Sequence, residues 1–150
     1  MCWIDFGIIC IEQAEVALPE GMMDFRFEYY KRTVNSEPLY DNWYHFNTAD
    51  KLPGYWYFIW MPCESRFDES FFDMTEKGCP WVCVKPKWKD TVKKILAFYI
   101  QQSPVHQIAV LLRIQSESRN AFHSYCTLDA FMDALMAGNI KWNELYFIEN

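Results

Sequence analysis

The chain has 150 residues, 51% hydrophobic and 19% aromatic, with a formal net charge of −6. That length fits one domain with a sizeable core, and that composition excludes a disordered chain. The charge is uneven: residues 1–80 carry 14 acids and 6 bases, and residues 81–150 carry 6 acids and 8 bases. A chain so acidic in one half is not expected to bind nucleic acid directly, since phosphates call for a basic surface.

In chain order, residues 2–11 read as a mostly buried strand, after which Glu12, Gln13 and Glu15 lead towards Pro19. Residues 22–30 alternate, with Met23, Phe25, Phe27 and Tyr29 on one side and Asp24, Arg26 and Glu28 on the other, as in a half-exposed strand. Residues 31–54 are rich in Asn, Asp, Pro and Gly and read as irregular, and Tyr55–Trp60 reads as an inner strand stopped by Pro62.

The spacing over 65–77 predicts a short helix. Phe67, Phe71 and Met74 share one stripe, Glu69, Asp73 and Glu76 the opposite one, and Gly78 closes the end. Ser65 serves as its cap, with Asp68 three residues on. Three carboxylates at that spacing, with no lysine among them, describe either a surface that reads a basic partner or a plain solvated face.

From residue 81 the pattern is regular. Trp81–Val84 is a short strand ended by Pro86, and 87–102 is a helix whose core stripe is Val92, Ile95, Leu96 and Tyr99, with an expected Asp90–Lys94 pair. Ser103-Pro104 stops it. Ile108–Ile114 is near-continuously apolar, as in a central strand, and a polar turn leads to a strand at Ala121–Cys126. Thr127 caps a second helix carrying Leu128, Phe131, Met132 and Leu135, Gly138 ends it, and Leu145–Ile148 is a closing strand. The expected fold is a single α+β domain over 1–150, with a mixed sheet of about six to seven strands and two main helices largely on one face. The order from residue 81, β-α-β-β-α-β, suits a ferredoxin-like split βαβ arrangement or a plain mixed sheet.

No catalytic signature stands out. A metal site would have to draw on Cys63, Cys79, Cys83 and one of His45, His106 and His123, but Cys79 and Cys83 in a strand lie roughly 13 Å apart, too far for one tetrahedral ion. No Gly-x-Ser-x-Gly elbow is present, and five glycines with no Gly-rich turn leave no phosphate-binding loop. His45 sits in an acidic, aromatic loop and is the one candidate general base. Neither enzyme activity nor a cofactor or metal is expected. The opening residues lack a basic n-region, and no run approaches the roughly 18 apolar residues of a membrane span, so a reducing cytoplasm with free thiols is the expected setting. Tyr40, Trp43, Tyr44 and Phe46 cluster in the irregular segment; they suit protein-interface anchors, sugar-stacking rings or a small satellite core.

A small, acidic, aromatic-rich α+β chain without a catalytic motif resembles the immunity proteins of bacterial toxin–immunity systems, including those of contact-dependent growth inhibition. The likeness is one of profile over the whole chain, nearest in Ile95–Asn150 through Ala97-Phe98-Tyr99-Ile100 and Leu145-Tyr146-Phe147-Ile148-Glu149-Asn150. The resemblance implies a protein that binds a co-produced toxin domain and blocks it. Independently, the charge and aromatic pattern nominates Asp68, Glu69, Asp73, Glu76, Tyr40, Trp43 and Tyr44 as the surface that meets a basic partner such as a nuclease. A carbohydrate- or ligand-binding module and a generic interaction adaptor are the competing readings.

Overall fold

The computed structural model describes residues 4–10, 25–32, 54–62, 71–114, 123–142 and 144–150. Their elements are β1 (Ile4–Cys10), β2 (Phe25–Arg32), β3 (Gly54–Pro62), β4 (Phe72–Met74), β5 (Trp81–Val84), α1 (Lys89–Gln102), β6 (Gln107–Ile114), β7 (His123–Thr127), α2 (Leu128–Ala137), β8 (Ile140–Lys141) and β9 (Leu145–Glu149). A single 3-10 turn at Pro86–Trp88 precedes α1. The α+β class, the two helices and a mixed main sheet are as the sequence predicts.

Two sheets form. The larger has six strands in the order β2-β3-β1-β6-β9-β7, and the smaller has three, β4-β5-β8. Neighbours in the larger sheet run antiparallel except β7 and β9, which are parallel with α2 as their crossover. The ferredoxin-like alternative is thereby excluded. Such an arrangement would set β5 between β7 and β9 in one sheet with β6 at its edge; instead β6 lies between β1 and β9, and β5 pairs with β4 and β8 in the other sheet. Chain order alone does not say which sheet a strand joins, and a four-residue strand has few contacts with which to compete for a central place.

The core lies between the larger sheet and a layer made of both helices and the small sheet. Ile108, Val110 and Leu112 of β6 and Tyr146 and Ile148 of β9 meet Val92, Ile95, Leu96 and Tyr99 of α1 and Leu128, Phe131, Met132 and Leu135 of α2. These are the helix stripes that the 3.6-residue period predicts. Ala109, Leu111, Leu145 and Phe147, on the alternate positions, are buried too. Both faces of the sheet are therefore covered at β6 and β9, which is why those strands read as unbroken apolar runs.

The helix ends follow local rules. α1 stops where Ser103, preceding Pro104, turns extended at ψ 130°, and the Ser103 hydroxyl donates to the Gln107 carbonyl at 2.8 Å. The expected Asp90–Lys94 pair does not form; Lys93 reaches Asp129 of α2 at 3.3 Å instead. An exposed i,i+4 pair contributes only about 0.3–0.5 kcal/mol, too little to hold two long side chains together. α2 begins on Thr127, whose hydroxyl oxygen accepts from the Ala130 N–H at 3.1 Å. Thr127→Ala should cost about 1 kcal/mol. A urea titration reads this as a lower midpoint at unchanged slope, and an unmoved midpoint would show that the cap contributes nothing.

Candidate functional site

The acidic stretch folds differently from its predicted helix. Residues 65–70 lie outside the described residues, but Phe72–Met74 is a strand, paired antiparallel with β5 as Phe72 with Val84, Asp73 with Cys83 and Met74 with Val82. The physical reason is burial. Phe71 and Phe72 are adjacent aromatics, each only 2% exposed. Successive residues of a helix diverge by about 100°, so one helical stripe cannot bury both rings. A helix would also align the acids at a spacing where they repel. The strand keeps Phe71 in the core as expected but brings Met74 out to 55% exposure, correcting its place on a buried stripe.

The hairpin closes through Thr75–Pro80. The Gly78 N–H bonds the Thr75 carbonyl at 3.0 Å and the Trp81 N–H bonds the Gly78 carbonyl at 3.0 Å, with Gly78 at φ +78°. The Lys77 N–H also meets the Thr75 hydroxyl at 3.2 Å. Gly-x-Pro between two runs of strand-forming residues is the signal that identifies this turn in the sequence.

Against this hairpin rests the end of α2. Gly138 closes the helix at φ +74°, and a Cβ on it would stand 2.6 Å from the Thr75 Cγ2 atom, so the helix end packs directly on the Thr75 side chain of the hairpin. Between them opens a groove of about 550 Å³, whose walls are Asp73, Met74 and Glu76 on one side, Met136 and Ala137 on the other, and Cys83 at the base. Two of the predicted acids, Asp73 and Glu76, therefore do share one surface. Asp68, Glu69, Tyr40, Trp43 and Tyr44, with His45, lie outside the described residues.

Charge in the groove is arranged by its neighbours. The Lys77 ammonium is drawn aside, 2.6 Å from the Asn139 Oδ1 atom and 4.3 Å from the centre of the Trp81 ring. Lys85 stands 3.9 Å from an Asp73 carboxylate oxygen, a long contact between a half-buried and an exposed group. Glu76 makes no ion pair among the described residues. Met136, 49% exposed, lies one residue past the core stripe that ends at Leu135. It is the wall residue that periodicity shows only as a surplus apolar side chain.

Two thiols, Cys83 and Cys126, are held in their protonated form. Burial pushes the Cys83 thiol up, the Asp73 charge adds to this, and hydrogen bonding with the Asp73 backbone opposes it. Burial alone raises Cys126. Both are thiols at neutral pH, and the thiolate is the nucleophile. Burial likewise pushes the Tyr146 phenol up to about 12. Its oxygen accepts from the Lys141 N–H at 2.9 Å, tying β9 to β8 as a structural bond. Among the described residues no three His, Cys, Asp or Glu side chains converge on a point, and no helix is long and apolar enough to cross a membrane.

No protein-family model matches the chain, and no curated protein or solved structure is significantly similar to it.

Proposed function

We propose that the protein is an immunity-type inhibitor, which captures a basic toxin domain, a nuclease being the expected class, and holds it inactive in the cytoplasm. One observation carries this reading. Met74 and Met136, two of the four exposed large hydrophobics among the described residues, share a groove with the carboxylates of Asp73 and Glu76. Exposed apolar side chains beside charge of one sign suit a protein-binding patch, the apolar groups as desolvated anchors and the charges as steering. Acids that settle where a nuclease holds phosphate oxygens would compete with its substrate, so one surface supplies affinity and inhibition together. The reading calls on no metal, cofactor or catalytic group of this chain.

The test is co-production with the toxin domain encoded in the neighbouring reading frame, followed by association rates across a salt series. Wild-type protein should protect the cell. Asp73→Lys with Glu76→Lys should leave the fold intact, since surface changes usually cost under about 0.5 kcal/mol. The double variant should associate several-fold more slowly at low salt, and the gap should close as screening shortens below about 8 Å. Equal rates at low ionic strength, or a wild-type protein that gives no protection, would overturn the proposal.

A further inference from the structure

We infer that the groove between the β4–β5 hairpin and the end of α2 is a receptacle for a single arginine side chain of the partner, its stem against Met74 and Met136 and its guanidinium among the acceptors at the groove's end. This rests on the inhibitor reading and specifies what that reading leaves open, namely which group is recognised.

Three independent features converge on a guanidinium. The first is the pair of thioether walls. Methionine is flexible and polarisable, and it packs along an aliphatic stem and against a flat π-system alike. The second is the helix terminus. An α-helix leaves its last four carbonyls without partners from its own backbone, and they carry the negative end of the helix dipole. Here the Gly138 and Asn139 N–H groups fold back to the carbonyls of Ala134 and Leu135. Among the described residues no partner meets the carbonyls of Met136 and Ala137, and both residues line the groove. The last turn of α2 contains no basic residue, and the cation nearest its end is Lys77 of the hairpin, fastened to the Asn139 side chain.

The third feature is the pair of carboxylates and the fate of the lysines beside them. Lys77, the one cation lining the groove, is held by Asn139 and the Trp81 face. Lys85 approaches Asp73 only at 3.9 Å, with the Asp73 side chain 63% exposed, a contact that an incoming cation displaces readily. What remains is an acceptor set of two carboxylates and two carbonyls spread across one opening. A lysine ammonium is a compact, strongly hydrated point charge, whereas the guanidinium offers five N–H donors in a planar fork and sheds water more easily. The dispersed acceptors and the thioether walls fit the second.

The test needs no knowledge of the partner. Protein carrying carbon-13 methionine methyl groups is titrated with N-acetyl-arginine amide, with the neutral isostere N-acetyl-citrulline amide, and with N-acetyl-lysine amide. Met74→Leu and Met136→Leu assign the two methyl signals among the seven methionines. The expected result is saturable movement of those two signals with arginine, weaker movement with lysine and none with citrulline. Asp73→Asn with Glu76→Gln should weaken the arginine response about fivefold, the size expected for two exposed ion pairs. Methyl signals that stay still with arginine, or move equally with citrulline, overturn the inference. If they stay still while the charge-reversed protein loses its hold on the toxin domain, the inhibitor reading stands and the arginine receptacle falls. If they move but no toxin domain is neutralised, the receptacle stands and the inhibitor reading falls.

Discussion

Replacing Phe71 by alanine should destabilise the protein by about 3–5 kcal/mol, the range for emptying a fully buried aromatic site. The ring is 2% exposed and lies where the two sheets meet. It stands edge-on to Phe6 of β1 at 5.9 Å and to Trp88 at 5.5 Å, with Phe72 at 6.0 Å. Truncation removes one of the two aromatics that join the small sheet to the large one, the other being Phe72, whose ring meets Phe6 at 5.3 Å, and three rings cannot all move to refill the space. The backbone bond from the Lys85 N–H to the Phe71 carbonyl, 2.9 Å, survives the change, so the loss is one of packing. Thermal unfolding should fall by roughly 10 °C or more in a domain this size. A loss below about 1 kcal/mol would mean that the site collapses freely.

The second large effect belongs to Gly138. Alanine there meets two costs, about 1 kcal/mol or more for a side chain in left-handed backbone and about 1–3 kcal/mol for overpacking. The overpacking arises because the new Cβ lies 2.6 Å from the Thr75 Cγ2 atom. Gly78 supplies the control, because it has φ +78° but nothing within 4 Å of its added Cβ. Gly78→Ala should therefore show the backbone cost alone. Thr75→Ser removes Cγ2 while keeping the hydroxyl that accepts from the Lys77 N–H. In that background Gly138→Ala should cost about as much as Gly78→Ala, and a double-mutant cycle reads the difference as a coupling between the sites. Additive effects would show that the approach of α2 to the hairpin relaxes without strain.

Much of the fold is legible in the sequence, and the reasons are local. α1 and α2 announce themselves because four core residues in each recur at helical spacing, and their ends carry Ser103-Pro104, Thr127 and Gly138. β6 is legible as a central strand because both of its faces are buried. Of the small sheet only β5, Trp81–Val84, is legible. β8 is two residues long, too short for any period, and β4 is three. In β4 the residues Phe, Asp and Met satisfy a helical stripe as well as a strand, and only pairing with β5 decides between them. For the same reason the groove was half visible. Asp73 and Glu76 were found by charge, though through a helix that does not form. Met136 and the carbonyls at the end of α2 join them only through a tertiary approach that no spacing records.

The strand order of the larger sheet also makes its last segment a tie between distant parts of the fold. β7 touches that sheet only through β9, a strand that follows it in the chain, and β9 in turn needs β6. After α2 the chain pairs β8 with β5 in the small sheet and, a few residues on, β9 with β6 and β7 in the larger one. β7 is therefore held in the larger sheet by way of residues 145–149, whereas α2 also packs against α1 and β5. Since β9 pairs with β6 and β8 with β5, one short segment completes both sheets, and through them the groove at the end of α2. The hairpin wall of that groove is a local pairing, so what this segment fixes is the position of the helix wall against it.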